Sequence, residues 1–192
     1  MGKILVFIFN GMTDYQITFI MHLLGADAGK EIITISYEDK IIKGRSGLLY
    51  KPEKLVTEVL NENVEGLIIC GGYYGDAKPE LIRLINKIKS EGKLLGAICG
   101  AGTVILAKAG ALDDVKYTTP IVKWEQEQIE VYGGRDPFPR KNLIEERVII
   151  DRNVITAKGS AFIDFAIEIC DWFNLFKNEE DRDNFTKDIK GL

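Results

Sequence analysis

Cys99 is the residue whose type and surroundings could support catalytic chemistry. It follows the apolar run KLLGAI (93–98) and precedes the small-residue run GAGTVILAKA (100–109). This pattern predicts a strand that turns sharply into a helix, and the small residues Ala97 and Ala101 suit so crowded a turn. The helix would point its positive end at the sulfur and favour the nucleophilic thiolate. A buried structural thiol is the alternative, because free cysteines are often packed in protein cores.

A second loop supplies candidate hydrogen-bond donors for the same chemistry. The apolar run GLIIC (66–70) is followed by two glycines, which allow backbone N–H groups to face a common crevice. We predict an oxyanion hole formed by the amides of Gly72, Tyr73 and Gly100.

Composition limits the class of protein. The formal net charge is −4 and no Lys/Arg-rich run forms a basic stripe, so we expect no nucleic-acid partner. The apolar start of the chain is too short to span a bilayer, so no membrane association is expected. The three cysteines are odd in number and far apart, which favours free thiols, a reducing compartment and a cytoplasmic location. Cys70 and Cys170 are predicted to be structural.

Short β-rich runs alternate with longer helical patterns along the chain. Strands are predicted at 3–9, 31–36, 66–70 and 93–98, with hairpins at 40–50 and 147–156. Helices are predicted from a Thr13 or Asp14 cap to 27, and at 79–90, 100–109, 123–130 and, capped by Ser160, to 176. Residues 177–192 are predicted to form a charged helix or tail. This order predicts one α/β domain over 1–192, a flavodoxin-like three-layer α/β/α sandwich with a mostly parallel sheet.

Four sequence blocks resemble the ThiJ/PfpI superfamily, which has the class I glutamine amidotransferase-like fold. They are FNGMTDYQ (9–16), GLIICGG (66–72), GKLLGAICGAGTVILAKAGALDDVKYTT (92–119) and NVITAKGSAFIDFAIEI (153–169). The blocks stand in the family's order and cover most of the chain. The resemblance implies that Cys99 is the family's reactive cysteine and that the protein forms a homodimer.

One departure from the family pattern lies beside the predicted nucleophile. Members place a Glu near the cysteine in a pattern like D-W-E, whereas this chain has Asp14-Tyr15-Gln16. Gln16 is therefore predicted to line the pocket. Its amide can hydrogen-bond to the sulfur, but it cannot give or accept a proton as a carboxyl group does.

A second departure removes the expected histidine. Hydrolase-like members have a His directly after the cysteine or in a Lys-His-Thr segment, but here Gly100 follows Cys99 and the later segment includes Tyr117 and Thr118. We predict that Tyr117 and Thr118 line the pocket, although Tyr117 packed under the elbow helix is an equal alternative. His22 lies in the first predicted helix and is not expected to be catalytic.

Three functions are consistent with this sequence. The first is cysteine-dependent chemistry on small carbonyl compounds, glyoxalase- or deglycase-like, with weak activity because the Glu and His are absent. The second is redox sensing or stress protection through oxidation of Cys99. The third is non-catalytic binding of a small molecule. Amide or peptide hydrolysis is the least expected, because the leaving amine needs a proton donor.

No cofactor is predicted, and the expected ligands are a small-molecule substrate or an oxidant. The first loop lacks both a G-x-G-x-x-G pattern and a Ser/Thr-rich phosphate loop. No Cys/His cluster has the spacing of metal ligands, so no metal site is expected.

Overall fold

Nine strands and six α-helices follow one another along residues 2–192, which the computed structural model describes. The strands are β1 (Lys3–Phe7), β2 (Glu31–Ser36), β3 (Ile42–Lys43), β4 (Leu49–Tyr50), β5 (Lys54–Leu55), β6 (Gly66–Ile69), β7 (Leu94–Ile98), β8 (Val148–Asp151) and β9 (Val154–Ala157). The helices are α1 (Tyr15–His22), α2 (Pro79–Ser90), α3 (Cys99–Lys108), α4 (Gln126–Tyr132), α5 (Phe162–Trp172) and α6 (Glu179–Lys190).

Seven of these strands form a central sheet in the order β5-β2-β1-β6-β7-β9-β8. All pairs are parallel except β8 with β9, and β3 pairs with β4 in a separate hairpin. From β1 the chain builds β2 and β5 on one side and then crosses to β6 on the other. Such a reversal opens a crevice at the carboxyl ends of the two central strands, where α/β proteins bind ligands.

The sheet is covered on both faces. Every residue of β6, β7 and β9 is buried, and successive side chains of a strand point to opposite faces. Helices α1 and α5 pack side by side, and α6 packs on α5. The predicted α/β fold with a mostly parallel central sheet is confirmed.

Several element ends differ from the sequence prediction. The first helix ends at His22 and continues as a π-helical turn over Leu23–Asp27. Asp14 occupies the N-cap position of α1, but its side chain makes no capping hydrogen bond and bonds to the β3–β4 hairpin instead. Ser160 does not cap α5, because it lies in a 3₁₀ turn over Gly159–Ala161 and Ala161 is at the N-cap position. The short strand β5 was not predicted.

The predicted charged C-terminal segment forms helix α6. The side chain of Asn178 accepts a hydrogen bond from the Asp181 amide at 2.9 Å and caps the helix start. Gly191, with φ 65°, ends it. Over residues 2–192, no helix combines the length and apolar character needed to cross a bilayer.

Candidate functional site

Cys99 lies at the junction of β7 and α3 with a left-handed backbone. Its φ is 64°, which is uncommon for a residue with a side chain and requires support from the surrounding structure. Ile98 before it is still extended, and Cys99 is the first residue of α3. The chain therefore turns within one residue, as the sequence pattern predicts, and the half-buried thiol lies at the carboxyl end of the sheet.

Two glycines provide the space in which the turn fits. A Cβ on Gly71 would overlap both the Oε1 atom of Gln16 and the Cβ atom of Cys99. A Cβ on Gly159 would lie 2.8 Å from the Cys99 sulfur and 2.7 Å from the Gln16 Nε2 atom. Real Cβ atoms do not make contacts this close, so the observed positions of Gln16 and Cys99 require glycine at both places.

Gln16 is buried beside Cys99 with half of its amide unpaired. The side chain is 2% exposed, and its Nε2 donates a hydrogen bond to the carbonyl of Gly159 at 3.3 Å. Its Oε1 has no hydrogen-bond partner within residues 2–192. A buried acceptor without a partner is costly, so this atom offers a ready bond to a group that enters the site.

A cavity of about 640 Å³ opens over the sulfur. The predicted site residues that line it with Cys99 are Gln16, Gly72, Tyr73 and Gly100. Gly72 has φ 147°, and its preceding peptide is fixed because the Thr13 amide donates to the Gly71 carbonyl at 2.8 Å. The structure thus brings five predicted site residues to one cavity.

Tyr117 and Thr118 do not line this cavity, which corrects their predicted placement. Tyr117 is fully buried and its ring stacks on Phe138, with centroids 5.7 Å apart; burial raises its pKa to about 12. Thr118 is also buried, its amide donating to the Thr156 hydroxyl at 2.9 Å and its hydroxyl to the Glu146 carbonyl at 2.7 Å. Packing against β9 and the segment before β8 therefore holds both residues in the core.

The Asp14 carboxylate does not line the cavity and instead holds the β3–β4 hairpin. It accepts hydrogen bonds from the Ser46 hydroxyl, the Ser46 amide at 3.2 Å and the Tyr50 hydroxyl at 2.9 Å. Burial by itself would raise the pKa of Asp14, but these hydrogen bonds outweigh it and lower the pKa. Burial and then the bond to Asp14 raise the pKa of Tyr50 to about 12.

Several residues around the cavity were missed by the sequence prediction. Arg45 and Lys158 bring positive charges, Glu127 brings a carboxylate, and Tyr132 brings a hydroxyl. Gly159 follows β9, which pairs with β7. Its position after a strand could have indicated a site residue, because functional groups gather at the carboxyl ends of parallel strands. Tyr132 had no such signal, because the predicted helix ended at residue 130.

The other two cysteines are packed in the core. Cys70 is fully buried with its sulfur 3.3 Å from the Thr13 carbonyl oxygen, and burial strongly raises its pKa. Cys170 is 3% exposed, and burial raises its pKa to about 12. Since a raised pKa suppresses the thiolate, neither sulfur is suited to nucleophilic attack at neutral pH.

Comparison with known proteins identifies the family. The model of the DJ-1/PfpI family matches residues 2–171. The chain belongs to the DJ-1/PfpI family. This confirms the family resemblance found in the sequence.

Among its relatives is the Bacillus subtilis (strain 168) protein named uncharacterized protease YoaZ, 23% identical over 91% of this chain and 84% of that protein. Another is protein DJ-1 homolog A of Arabidopsis thaliana, 28% identical over 63% of this chain and 29% of that protein. A DJ-1 superfamily protein of Agrobacterium tumefaciens has a TM-score of 0.78 at 22% identity, covering 98% of this chain and 99% of its own. Oxidized DJ-1 of Toxoplasma gondii has a TM-score of 0.75 at 24% identity, covering 98% of both chains. These structural likenesses show the fold.

Within the DJ-1/PfpI frame, the site lacks two groups that the resemblance implies. The carboxyl expected beside the cysteine is the Gln16 amide. The chain's single histidine, His22, is exposed at the end of α1 and does not line the cavity. Among the described residues that do, Glu127 is the only carboxylate, and it lies on the exposed surface of α4.

Proposed function

We propose that Cys99 is a nucleophile that acts on small carbonyl compounds, with weak glyoxalase- or deglycase-like activity. The observation that carries this proposal is the left-handed elbow at Cys99, whose half-buried sulfur borders a cavity of about 640 Å³. The Gln16 side chain lines the same cavity, and its buried Oε1, which has no partner within residues 2–192, is an independent sign of a ligand site. A strained backbone and an unpaired buried acceptor both cost folding free energy, and such costs concentrate at functional sites.

The proposed reaction begins with attack of the Cys99 thiolate on the carbonyl carbon. A carbon–sulfur bond forms, and the π electrons of the carbonyl move to its oxygen. The amides of Gly72, Tyr73 and Gly100 are the proposed donors to that oxygen. A preformed thiolate needs little proton transfer for this addition, which suits a cavity poor in acids and bases.

Weak activity follows from the groups around the sulfur. General acid–base catalysis commonly contributes about 10²–10⁴-fold, and no imidazole is present among the described cavity residues. Hydrolysis of an amide would also require protonation of the leaving amine. The name protease given to one relative is therefore not extended to this chain.

Peroxide sensing through Cys99 is a second candidate, supported by the unpaired Gln16 Oε1. Peroxide converts the thiolate to sulfenic acid, transferring one oxygen to sulfur and releasing the other as water after proton uptake. The new S–OH group is a hydrogen-bond donor, and the Gln16 amide beside Cys99 has an unpaired acceptor in Oε1.

The decisive experiment compares the wild type with Cys99→Ala, using Cys170→Ala as a matched control from the core. We expect slow consumption of methylglyoxal by the wild type and the control, and none by Cys99→Ala. Mass spectrometry after iodoacetamide treatment of the native protein should find alkylation at Cys99 alone. An inert Cys99 in both assays would contradict enzyme and sensor alike and favour a binding protein. Persistent Cys99 sulfinate after mild peroxide, without methylglyoxal consumption, would favour the sensor.

We also propose that the protein is a cytoplasmic homodimer. The β3–β4 hairpin presents Ile41, Leu48 and Leu49, which are 55%, 60% and 66% exposed. Exposed apolar clusters of this kind are typical of protein–protein interfaces. All three cysteines are free, which suits a reducing compartment.

A further inference from the structure

The hydroxyl of Tyr132 lies against the elbow, although Tyr132 is 33 positions away in the sequence. A Cβ on Gly100 would overlap the Tyr132 Oη atom, so the hydroxyl lies directly above the residue after Cys99. The same hydroxyl donates a hydrogen bond to the Gly72 carbonyl at 3.1 Å. It therefore lies between the two loops that supply the proposed oxyanion donors.

Tyr132 anchors α4, whose other residues are exposed or half-buried. No residue of α4 is buried, yet the Tyr132 ring packs closely on Gly75, where a Cβ would lie 2.8 Å from its Cδ1 atom. The Lys108 ammonium donates to the Tyr132 carbonyl at 2.7 Å and to the Gly75 carbonyl at 2.6 Å. Because Lys108 is the last residue of α3, which starts at Cys99, one helix fixes both the sulfur and the tyrosine.

The protonation state of Tyr132 makes it a donor. Burial raises its pKa above the ordinary value near 10, and a negative charge on Cys99 would raise it further. The phenol therefore keeps its proton at neutral pH. It cannot act as a base for Cys99, but it can donate a hydrogen bond to an oxygen that becomes negative.

We propose that Tyr132 is a catalytic residue that donates a hydrogen bond to the substrate oxygen when Cys99 adds to a carbonyl compound. This inference rests on the proposed function. As the carbon–sulfur bond forms, the carbonyl π pair moves to oxygen, and the Tyr132 O–H turns from the neutral Gly72 carbonyl to this anion. The thiol proton leaves to water when the thiolate forms, and the oxygen takes a proton from water after the addition, so the net step adds S–H across C=O.

An anionic oxygen competes well for the Tyr132 hydroxyl. Hydrogen bonds to ionised acceptors are about twice as strong as those between neutral groups. Packing on Gly75 holds the ring in place, so the exchange takes place by rotation of the hydroxyl hydrogen. Tyr132 would thus provide part of the electrostatic support that the absent histidine does not.

The test is Tyr132→Phe, which keeps the ring and removes the hydroxyl. Losing one oxyanion donor commonly lowers kcat about 10²–10³-fold. Because backbone amides also stabilise the oxyanion here, we expect kcat/KM for methylglyoxal to fall about tenfold or more. Alkylation of Cys99 by iodoacetamide develops no oxyanion, so its rate should stay within about twofold of the wild type. Tyr74→Phe, whose hydroxyl lies near Asp76 outside the cavity, is the matched control and should change neither rate.

Three outcomes would overturn the proposal. If the wild type consumes methylglyoxal and Tyr132→Phe does so equally fast, Tyr132 is not a donor, although the proposed function stands. If Tyr132→Phe slows iodoacetamide and methylglyoxal equally, the hydroxyl acts on the sulfur or on folding rather than on the substrate oxygen. If the wild type does not consume methylglyoxal, the proposed function fails and the role of Tyr132 fails with it.

Discussion

The side chain of Gln16 and the backbone of Gly159 are joined by a hydrogen bond of 3.3 Å, 143 residues apart in the sequence. The bond ties α1 to the turn after β9 at the point where both meet Cys99. It also decides the orientation of the amide, because the Nε2 end must face the Gly159 carbonyl. The acceptor end, Oε1, is consequently the atom left without a partner. The site therefore favours a bound group that donates a hydrogen bond.

Gln16→Glu should change how Cys99 is oxidised. The new carboxyl would be buried next to a carbonyl, so its pKa should rise and it should carry a proton that an oxidised sulfur can accept. A hydrogen bond to a charged group contributes about 1.5–3 kcal/mol, so we expect the yield of Cys99 sulfinate at equal peroxide dose to rise about tenfold or more. Mass spectrometry of the Cys99 peptide measures this yield. Gln126→Glu makes the same change on the exposed part of α4 and should have no effect, and an unchanged yield in Gln16→Glu would refute the contact.

Gly159→Ala should shield the Cys99 sulfur. The added methyl would stand 2.8 Å from the sulfur and 2.7 Å from Gln16 Nε2, so one of these groups must move. We expect iodoacetamide alkylation to slow about tenfold and the free energy of unfolding to fall by about 1–3 kcal/mol, as for other overpacked sites. Gly25→Ala is the comparison, because its Cβ would meet a single side-chain atom, of Ile32, at 3.3 Å. If Cys99 of Gly159→Ala is alkylated at the wild-type rate, the turn accommodates the methyl group without shielding the sulfur and the prediction is wrong.

Asp14→Asn should loosen the β3–β4 hairpin in a pH-dependent way. The pKa of Asp14 is lowered in the folded protein, so its stabilising contribution is present at neutral pH and is lost as the pH falls below about 4. Hydrogen bonds to a charged group suggest a loss of about 1–3 kcal/mol at pH 7. Urea unfolding should show this gap between variant and wild type at pH 7 and a smaller gap at pH 3. The control is Asp39→Asn, since Asp39 is an exposed partner of Lys51, and it should lower the free energy of unfolding by less than about 0.5 kcal/mol at either pH. If Asp14→Asn lowers the free energy of unfolding equally at both pH values, the charged Asp14 carboxylate does not stabilise the hairpin.

Leu49→Lys should weaken the proposed homodimer. It places a charge at the most exposed large apolar side chain of the hairpin, where association would have to bury it. Light scattering after size exclusion should find a dimer for the wild type and a shift toward monomer for the variant. Ile150→Lys changes a 49% exposed side chain on edge strand β8 and should leave the dimer intact. A monomeric wild type would refute the homodimer.

The sequence was sufficient for features that arise from local sterics. The parallel sheet follows from apolar runs alternating with helical patterns, since a strand buried on both faces has few polar residues. The elbow at Cys99 follows from small residues on either side of one cysteine, because only such residues allow so tight a turn. The sequence also predicts that the Gly71-Gly72 loop lies near Cys99, because both follow parallel strands of one sheet and the carboxyl ends of such strands meet at one edge.

The tertiary structure decided which distant side chains reach the sulfur. Tyr117 and Thr118 lie in a segment whose pattern fits either core or pocket, and packing against Phe138 and β9 places them in the core. Tyr132 and Gly159 come to Cys99 because β9 lies beside β7 and Lys108 holds the end of α4, which no local pattern encodes. The sequence by itself determined that Cys99 sits in a tight turn at a strand end. Only long-range packing determined that its neighbours are the Gln16 amide and the Tyr132 hydroxyl.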